Sequence, residues 1–407
     1  MRNPSTDRSG PQAVLALVAL FMVAASLRPA LTGVGAVLEQ IGDTTGLSSS
    51  ALGLLGALPL LGFAIVSPLV HGPANRWGVD RLVLVALVVL CAGIAVRSLP
   101  PMPALWIGTA MIGVSVAVGN VLVPVIIRRD RPTHIPLLTG VNTAVMNSSA
   151  ALAAGLAFPL SLVLGGWRPA LALWAGLVAV AALVWATRMY RFPTPAMSVP
   201  APVAGRPAPV PEPEASVWRS AKAWQVTLFM GLQSTSFFTL INWLPTVEAS
   251  RGVAPATAGW HLFGFQIAGI LAGLAVTAVM GRRAEQTPAC LAVSVPMVVA
   301  MAGLLWLPQW SLVWILMAGG STGGAIVVSL ALIALRGGTH LRTVRLSGMA
   351  QSIGYLLAAG GPVAAGALGQ ATGRWETVLL LVGAVGLAQT TVSLAAGRPE
   401  RTEPSRT

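Results

Sequence analysis

Twelve apolar stretches constrain this chain more than any other feature of its sequence. Each has about the 20 apolar residues that a helix needs to cross the hydrocarbon core of a membrane. Because backbone polar groups in lipid must be hydrogen-bonded internally, the stretches predict helices and not strands. The predicted spans are residues 12–40, 48–70, 80–98, 103–127, 136–162, 168–188, 222–247, 256–280, 287–307, 310–335, 345–369 and 375–396.

Charge is scarce, and it lies mainly between the apolar stretches. Only 9% of the residues are charged and 55% are hydrophobic, whereas a soluble domain has about a quarter of its residues charged. The net charge of +13 does not indicate nucleic acid as a partner, because the basic residues are spread over the gaps between spans. The composition predicts a multi-pass protein of the cell (inner or plasma) membrane, with the lipid bilayer as its surroundings.

The distribution of Lys and Arg predicts the orientation. With the N-terminus placed inside, twenty of the 25 basic residues fall on the cytoplasmic side. This asymmetry follows the positive-inside rule and predicts that both termini are cytoplasmic. The five that fall outside or within spans are Arg28, Arg97, Arg168, Arg251 and Arg374.

The chain divides into two halves. The Pro-rich residues 191–221 predict a cytoplasmic linker between six-helix halves at 1–190 and 222–407. A constant offset of 208 residues relates four positions of the first half to identical residues in the second, which predicts parallel repeats of one topology. The pairs are Trp106 and Trp314, Arg128 and Arg336, Gly140 and Gly348, and Trp167 and Trp375.

The loop between the second and third predicted spans contains Arg76, Gly78 and Arg81. It resembles the loop signature of the major facilitator superfamily, in which a Gly is followed by Asp-Arg-x-Gly and two basic residues. Asn75 stands in place of the acid, and Asp80 in place of a base. The resemblance implies a gating role for Arg76, Gly78 and Arg81, which would tie this loop to neighbouring helices when the cytoplasmic side closes.

Four further segments resemble one branch of that superfamily, the cyanate permeases and 2-nitroimidazole transporters. They are residues 27–32, 119–124, 242–245 and 347–355, on the first, fourth, seventh and eleventh predicted spans. The resemblance implies an all-α protein with twelve transmembrane helices in two pseudo-symmetric six-helix bundles. It also implies transport of a small polar solute by alternating access, such as a cyanate-like anion or a nitroimidazole-like heterocycle.

Arg28 lies deep in the first predicted span, directly before Pro29. An arginine at the centre of a membrane helix costs at least about 2.5 kcal/mol, so its presence calls for a reason. One interpretation is that it faces the substrate path, where its fixed fork of donors suits a planar oxyanion. The other is that it extends to the outer surface or pairs with Glu39 or Asp43.

Other polar side chains within the spans are candidate substrate ligands. Amides can bind a neutral or anionic solute, but each can equally bond to a neighbouring helix. Trp243 and Tyr355 can stack on a planar solute, although Trp243 also suits an interfacial anchor. With Arg28, the predicted substrate-binding residues are Thr32, Asn120, Asn142, Asn147, Gln233, Asn242, Trp243, Gln266, Gln351 and Tyr355.

No carboxylate lies in the middle of a predicted span. Since carboxylate relays commonly couple protons to transport, a proton is only a candidate second partner. Coupling would run through Arg28 and the charge of the substrate, or through an acid at an outer loop or helix end, or would not exist; those acids are Glu39, Asp43, Glu248 and Glu376. His261 is a further candidate, although a lone His at a helix end is usually inert.

These features predict a secondary active transporter, with a multidrug exporter of the major facilitator type as the alternative. Exporters of cationic drugs often carry an intramembrane acid, which the predicted spans lack. A membrane-embedded enzyme would need clustered His and acidic residues, and the four His residues lie apart. We therefore expect a monomer with no catalytic residues, no metal site and no cofactor.

Overall fold

Long α-helices make up most of the chain. The structure is a computed structural model that describes residues 10–191, 216–280, 285–337 and 339–398. Most of the predicted linker, residues 192–215, lies outside the described residues. The helices of 18 residues or more are α1 (Gly10–Leu27), α2 (Ser49–Val66), α3 (Val79–Arg97), α4 (Met102–Asp130), α5 (Ile135–Val163), α6 (Trp174–Arg191), α7 (Ala221–Ala249), α8 (Pro255–Met280), α9 (Thr287–Trp306), α10 (Ser311–Gly337), α11 (His340–Thr372) and α12 (Glu376–Ala396).

Eleven segments of the described residues are long and apolar enough to cross a membrane, and they match every predicted span except the seventh. The exception is α7, a 29-residue helix in which most residues are buried. Its buried face carries many polar side chains, including Gln233, Ser236 and Thr239. A helix that other helices shield from lipid needs no apolar surface, which explains its low hydropathy.

The first predicted span is a broken helix. Helix α1 ends at Leu27, a short helix follows at Pro29–Thr32, and a further helix at Leu38–Thr45 completes the segment. Pro29 lacks an N–H group and its ring crowds the preceding turn, which accounts for the break after Leu27. The break makes the carbonyl of Ala30 available to Nη1 of Arg97, which lies 2.5 Å from it.

The helices before and after the undescribed linker pack mainly within their own group. Helix α3 packs on α4 and α1 on α5 and α6, while α8 packs on α10, α7 on α11 and α9 on α12. The main contacts between the groups are α2 with α11 and α5 with α8.

The two groups approach each other most closely at one end of the bundle, where α2 begins and α11 ends; we call it the joined end. A Cβ added to Gly53 would lie 2.4 Å from the carbonyl oxygen of Pro362, and one added to Gly35 would lie 2.0 Å from that of Ile241. Backbones therefore touch there. Near the opposite end, a Cβ added to Gly140 of α5 or Gly348 of α11 would meet nothing within 4 Å.

Candidate functional site

A cavity of about 320 Å³ lies beside the break in the first span. Predicted site residues in its lining are Arg28, Thr32, Asn120 and Tyr355. Lining residues that the sequence did not single out are Leu31, Phe63, Val116, Phe237 and Phe238. We call it the Arg28 cavity; the broken span, α2, α4, α7 and α11 all contribute to it.

Arg28 is half-buried in this cavity, and its Cζ lies 5.7 Å from the ring centroid of Phe237. An arginine over an aromatic face gains up to about 2 kcal/mol when desolvated, which offsets only part of the cost of its burial. Among the described residues, Arg28 forms no ion pair with Glu39 or Asp43, the partners of the alternative interpretation. No acid lines the cavity, so its electrostatics favour an anion.

An aromatic wall faces the same space. The ring of Tyr355 meets Phe63 edge to face at 5.3 Å between centroids, and Phe238 at 6.5 Å. Small-molecule sites commonly combine apolar walls with a few placed polar groups. Here the guanidinium, the Asn120 amide and the Tyr355 hydroxyl are the donors, and the rings suit a flat solute.

Thr32 serves the architecture of the cavity as well as its lining. Its hydroxyl donates to the carbonyl of Ala150 at 2.9 Å, which ties the broken span to α5. The O–H group of Thr32 is therefore already used as a donor, but its oxygen can still accept a hydrogen bond from a solute.

Three predicted residues lie outside this cavity and have partners of their own. Nε2 of Gln233 donates to Ser234 Oγ at 2.7 Å, and Nε2 of Gln351 donates to Ser347 Oγ at 2.9 Å. The Trp243 indole donates to the Pro362 carbonyl at 2.9 Å and stacks on Trp375 at 4.9 Å. The two Gln side chains bond to serines of their own helices and the Trp243 indole bonds to α11, and the substrate-binding role of these three residues stays a prediction.

The remaining predicted amides are not in the lining of the Arg28 cavity. Asn142 and Asn147 of α5 and Gln266 of α8 each have one buried amide atom without a hydrogen-bond partner among the described residues. Asn242 lines a second cavity, of about 560 Å³. The substrate-binding role of these four residues stays a prediction.

A network of charges joins α3, α4 and α6 at the end opposite the joined end. Nη1 and Nη2 of Arg129 lie 2.7 and 3.0 Å from the two carboxylate oxygens of Asp80. Arg188 bridges Asp80 at 2.9 Å and Asp130 at 2.5 Å. One signal for this network is visible in the sequence, namely the acid at position 80 where the superfamily has a base.

The predicted gating residues lie beside this network. Gly78 has a φ of +85° and connects the short helix His71–Trp77 to α3. That left-handed backbone favours glycine. Arg76 and Arg81 are exposed, and the gating role of all three residues stays a prediction.

Comparison with known proteins identifies the family. The sequence profile described as "Major Facilitator Superfamily" matches residues 13–359. The 2-nitroimidazole transporter of Escherichia coli (strain K12) is 36% identical over 395 residues, which cover 97% of this chain and 98% of that protein. The chain belongs to the major facilitator superfamily.

Other similarities agree with this assignment. The cyanate transport protein CynX of Escherichia coli (strain K12) is 26% identical to this major facilitator protein over 364 residues, 88% of this chain and 91% of CynX. The resemblance to the cyanate and 2-nitroimidazole branch is thereby confirmed. The protein is a multi-pass membrane transporter.

Two solved structures share the fold. The nucleoside transporter NupG superposes with a TM-score of 0.74 at 13% identity, covering 95% of this chain and 99% of NupG. A D-xylose-proton symporter superposes with a TM-score of 0.72 at 15% identity, covering 96% and 99%. At such identities the agreement concerns the fold alone.

Proposed function

We propose that this transporter moves a small anion or a compact polar heterocycle through the Arg28 cavity. The observation that carries the proposal is a guanidinium in a small aromatic-walled cavity that no acid lines. Arg28, Asn120 and Tyr355 bind the solute, and Thr32 holds the broken span in place. The substrates named for the relatives, 2-nitroimidazole and cyanate, are small and planar or linear, and they fit this chemistry.

The architecture that we propose has twelve spans in two six-helix halves, at 1–190 and 222–407, which rock about the cavity as a monomer. Helix α7 counts as a span because its neighbours shield its polar residues from lipid. With both termini cytoplasmic in the cell membrane, the joined end is the outer end. The protein would then be open toward the cytoplasm, with Arg76, Gly78 and Arg81 near the gate that closes that side.

A multidrug exporter is the second candidate. Such a protein would need to attract organic cations, and neither cavity described above has an acid in its lining. Arg28 would repel cations. The substrate class therefore separates the two functions.

A ligand screen tests the proposed function. Purified protein is heated with cyanate, 2-nitroimidazole or a lipophilic cation, and its unfolding is followed. A ligand present at about a hundred times its Kd stabilises the folded state by about 2.7 kcal/mol, which should raise the Tm by several degrees. We expect this rise with cyanate or 2-nitroimidazole. Stabilisation by the cation alone would favour the exporter.

A proton is the second partner that we propose, through the acid at the outer loop edge. Nδ1 of His261 lies 2.6 Å from Oε1 of Glu248, and the Glu248 side chain is only 3% exposed. Arg251, one turn further on, donates to the Leu304 carbonyl at 2.6 Å. A buried acid with a His partner can exchange a proton when water reaches it, as opening of the outer end between the two halves would allow.

Substitution Glu248→Gln tests the proton proposal. In proteoliposomes it should lower solute accumulation driven by a pH gradient about tenfold or more, because the site no longer titrates. Solute exchange at equal pH should persist. Glu376→Gln is the matched control, since that acid is exposed and 3.8 Å from Arg374. If Glu248→Gln accumulates solute like the parent, the pair has no coupling role.

A further inference from the structure

Arg97, at the end of α3, is a buried arginine that the Arg28 cavity does not use. Only 2% of it is exposed. Nη1 donates to the Ala30 carbonyl, whereas Nε and Nη2 have no hydrogen-bond partner among the described residues. The ion pairs of the described chain do not include Arg97.

Such a group is costly to retain. An ionised side chain buried without a counter-charge costs several kcal/mol even after relaxation. Support of the broken span explains one donor, and that hydrogen bond does not itself require a charge. The charge and the two idle nitrogens need another explanation.

The surroundings of Arg97 supply one. It lines the cavity of about 560 Å³ together with residues of the broken span, α2, α4 and α7. Asn242 lines the same cavity and forms no side-chain hydrogen bond with another described residue. The Thr109 hydroxyl, in contrast, is already bonded to the Leu105 carbonyl at 2.7 Å. Arg97 and Asn242 thus provide a charge and free donors in one apolar enclosure.

This enclosure adjoins the Arg28 cavity. Leu31, Thr32 and Phe238 line both spaces, so one wall separates them. Arg97 ends α3 at the joined end of the bundle. The second cavity therefore lies toward the joined end from Arg28.

We propose that the cavity at Arg97 is a second anion site, in which Arg97 and Asn242 bind a small monoanion. It holds the anion between the Arg28 cavity and the joined end. That the anion is the transported solute rests on the proposed function. A bulk inorganic anion such as chloride has the same charge, and the test separates the two.

Azide is a suitable probe, because it is a linear monoanion isoelectronic with cyanate and its infrared stretch reports on its surroundings. Equilibrium dialysis of the purified full-length protein in chloride-free buffer gives the stoichiometry. We expect two azide ions per parent protein, one after Arg97→Gln and one after Arg28→Gln, with different infrared bands in the two variants. Asn242→Ala should lower the azide affinity of the Arg97 site about tenfold, as expected for the loss of one hydrogen bond to a charge.

The variants keep the outcomes distinct. Arg97→Lys keeps the positive charge and should restore the second azide in part. If Arg28→Gln lowers the number of bound azide ions and Arg97→Gln does not, the second site is overturned while the proposed function stands. Loss in Arg97→Gln alone would support the second site and contradict the role of Arg28. If the parent protein binds no azide, the proposal of a second anion site is overturned as well.

Competition identifies the occupant. Cyanate should displace both azide ions, which supports a transported anion at both sites. If chloride rather than cyanate displaces the Arg97-dependent azide, the second site binds an inorganic ion and its part in transport is contradicted.

Discussion

Replacing Arg28 by Gln should reduce the affinity for an anionic solute about 100-fold. A hydrogen-bonded charge pair that loses one partner in a buried site typically loses about 2–5 kcal/mol, and about 1.4 kcal/mol corresponds to tenfold. Binding of a neutral heterocycle should weaken less, by about tenfold, because it loses one charge-assisted hydrogen bond and no ion pair. The fold should persist, since Arg28 forms no ion pair with Glu39 or Asp43 that the change would break.

Proteoliposome uptake and ligand binding measure this effect together. Arg28→Lys keeps the charge but loses the planar fork, so it should fall between the parent and Arg28→Gln. Arg374→Gln is the matched control, because the Arg374 side chain is 77% exposed at the start of α12. Transport and affinity equal to those of the parent in Arg28→Gln would rule out the anion-binding role.

The sequence predicted the helices well because lipid imposes a simple rule on it. A span in contact with hydrocarbon must be long and apolar, and eleven predicted spans have helices of that kind. Helix α7 departs from the rule because other helices surround it, so its polar residues carry little of the free-energy cost of contact with lipid. The number of spans is thus readable from composition only where a helix faces lipid.

The site was predictable only in part, for a similar reason. Arg28 stands out because a charge in a span is expensive. Phe237 and Phe238 do not stand out, since phenylalanine is equally at home against lipid, and only the packing of α7 turns them toward Arg28. Arg97 lies at a span end, where an arginine commonly reaches the surface. The break at Pro29 and the cover of neighbouring helices bury it instead.

Replacing Gly53 by Ala should destabilise the closed state of the joined end. The new Cβ would lie 2.4 Å from the carbonyl oxygen of Pro362 and 3.0 Å from its carbonyl carbon, and both are backbone atoms that no rotamer change can move. Helices α2 and α11 must separate to admit it. Overpacking of this kind typically costs about 1–3 kcal/mol, which shifts the balance between closed and open outer ends by about 5- to 150-fold. Because alternating access needs both states, transport should fall by a similar factor.

Labelling of a cysteine placed at Ser50 reports the state of this end, once Cys91 and Cys290 have been replaced. The half-buried Ser50 donates through its hydroxyl to Gln370 Oε1 at 2.8 Å across the joint, so separation of α2 from α11 removes this neighbour and exposes a thiol there further. Gly53→Ala should speed its reaction with a membrane-impermeant maleimide about tenfold or more.

Gly360→Ala in α11 is the matched control for this variant, since Gly360 is exposed on the same helix. An added Cβ meets nothing within 4 Å there, and Ala favours the helix by about 1 kcal/mol over Gly. It should therefore leave both labelling and transport unchanged. Suppose that Gly53→Ala is labelled as slowly as the parent and transports normally. The space between α2 and α11 in the closed state would then be wide enough for another methyl group. The contact between these helices would then not be the outer gate, and closure of that side would have to rest on α5 and α8.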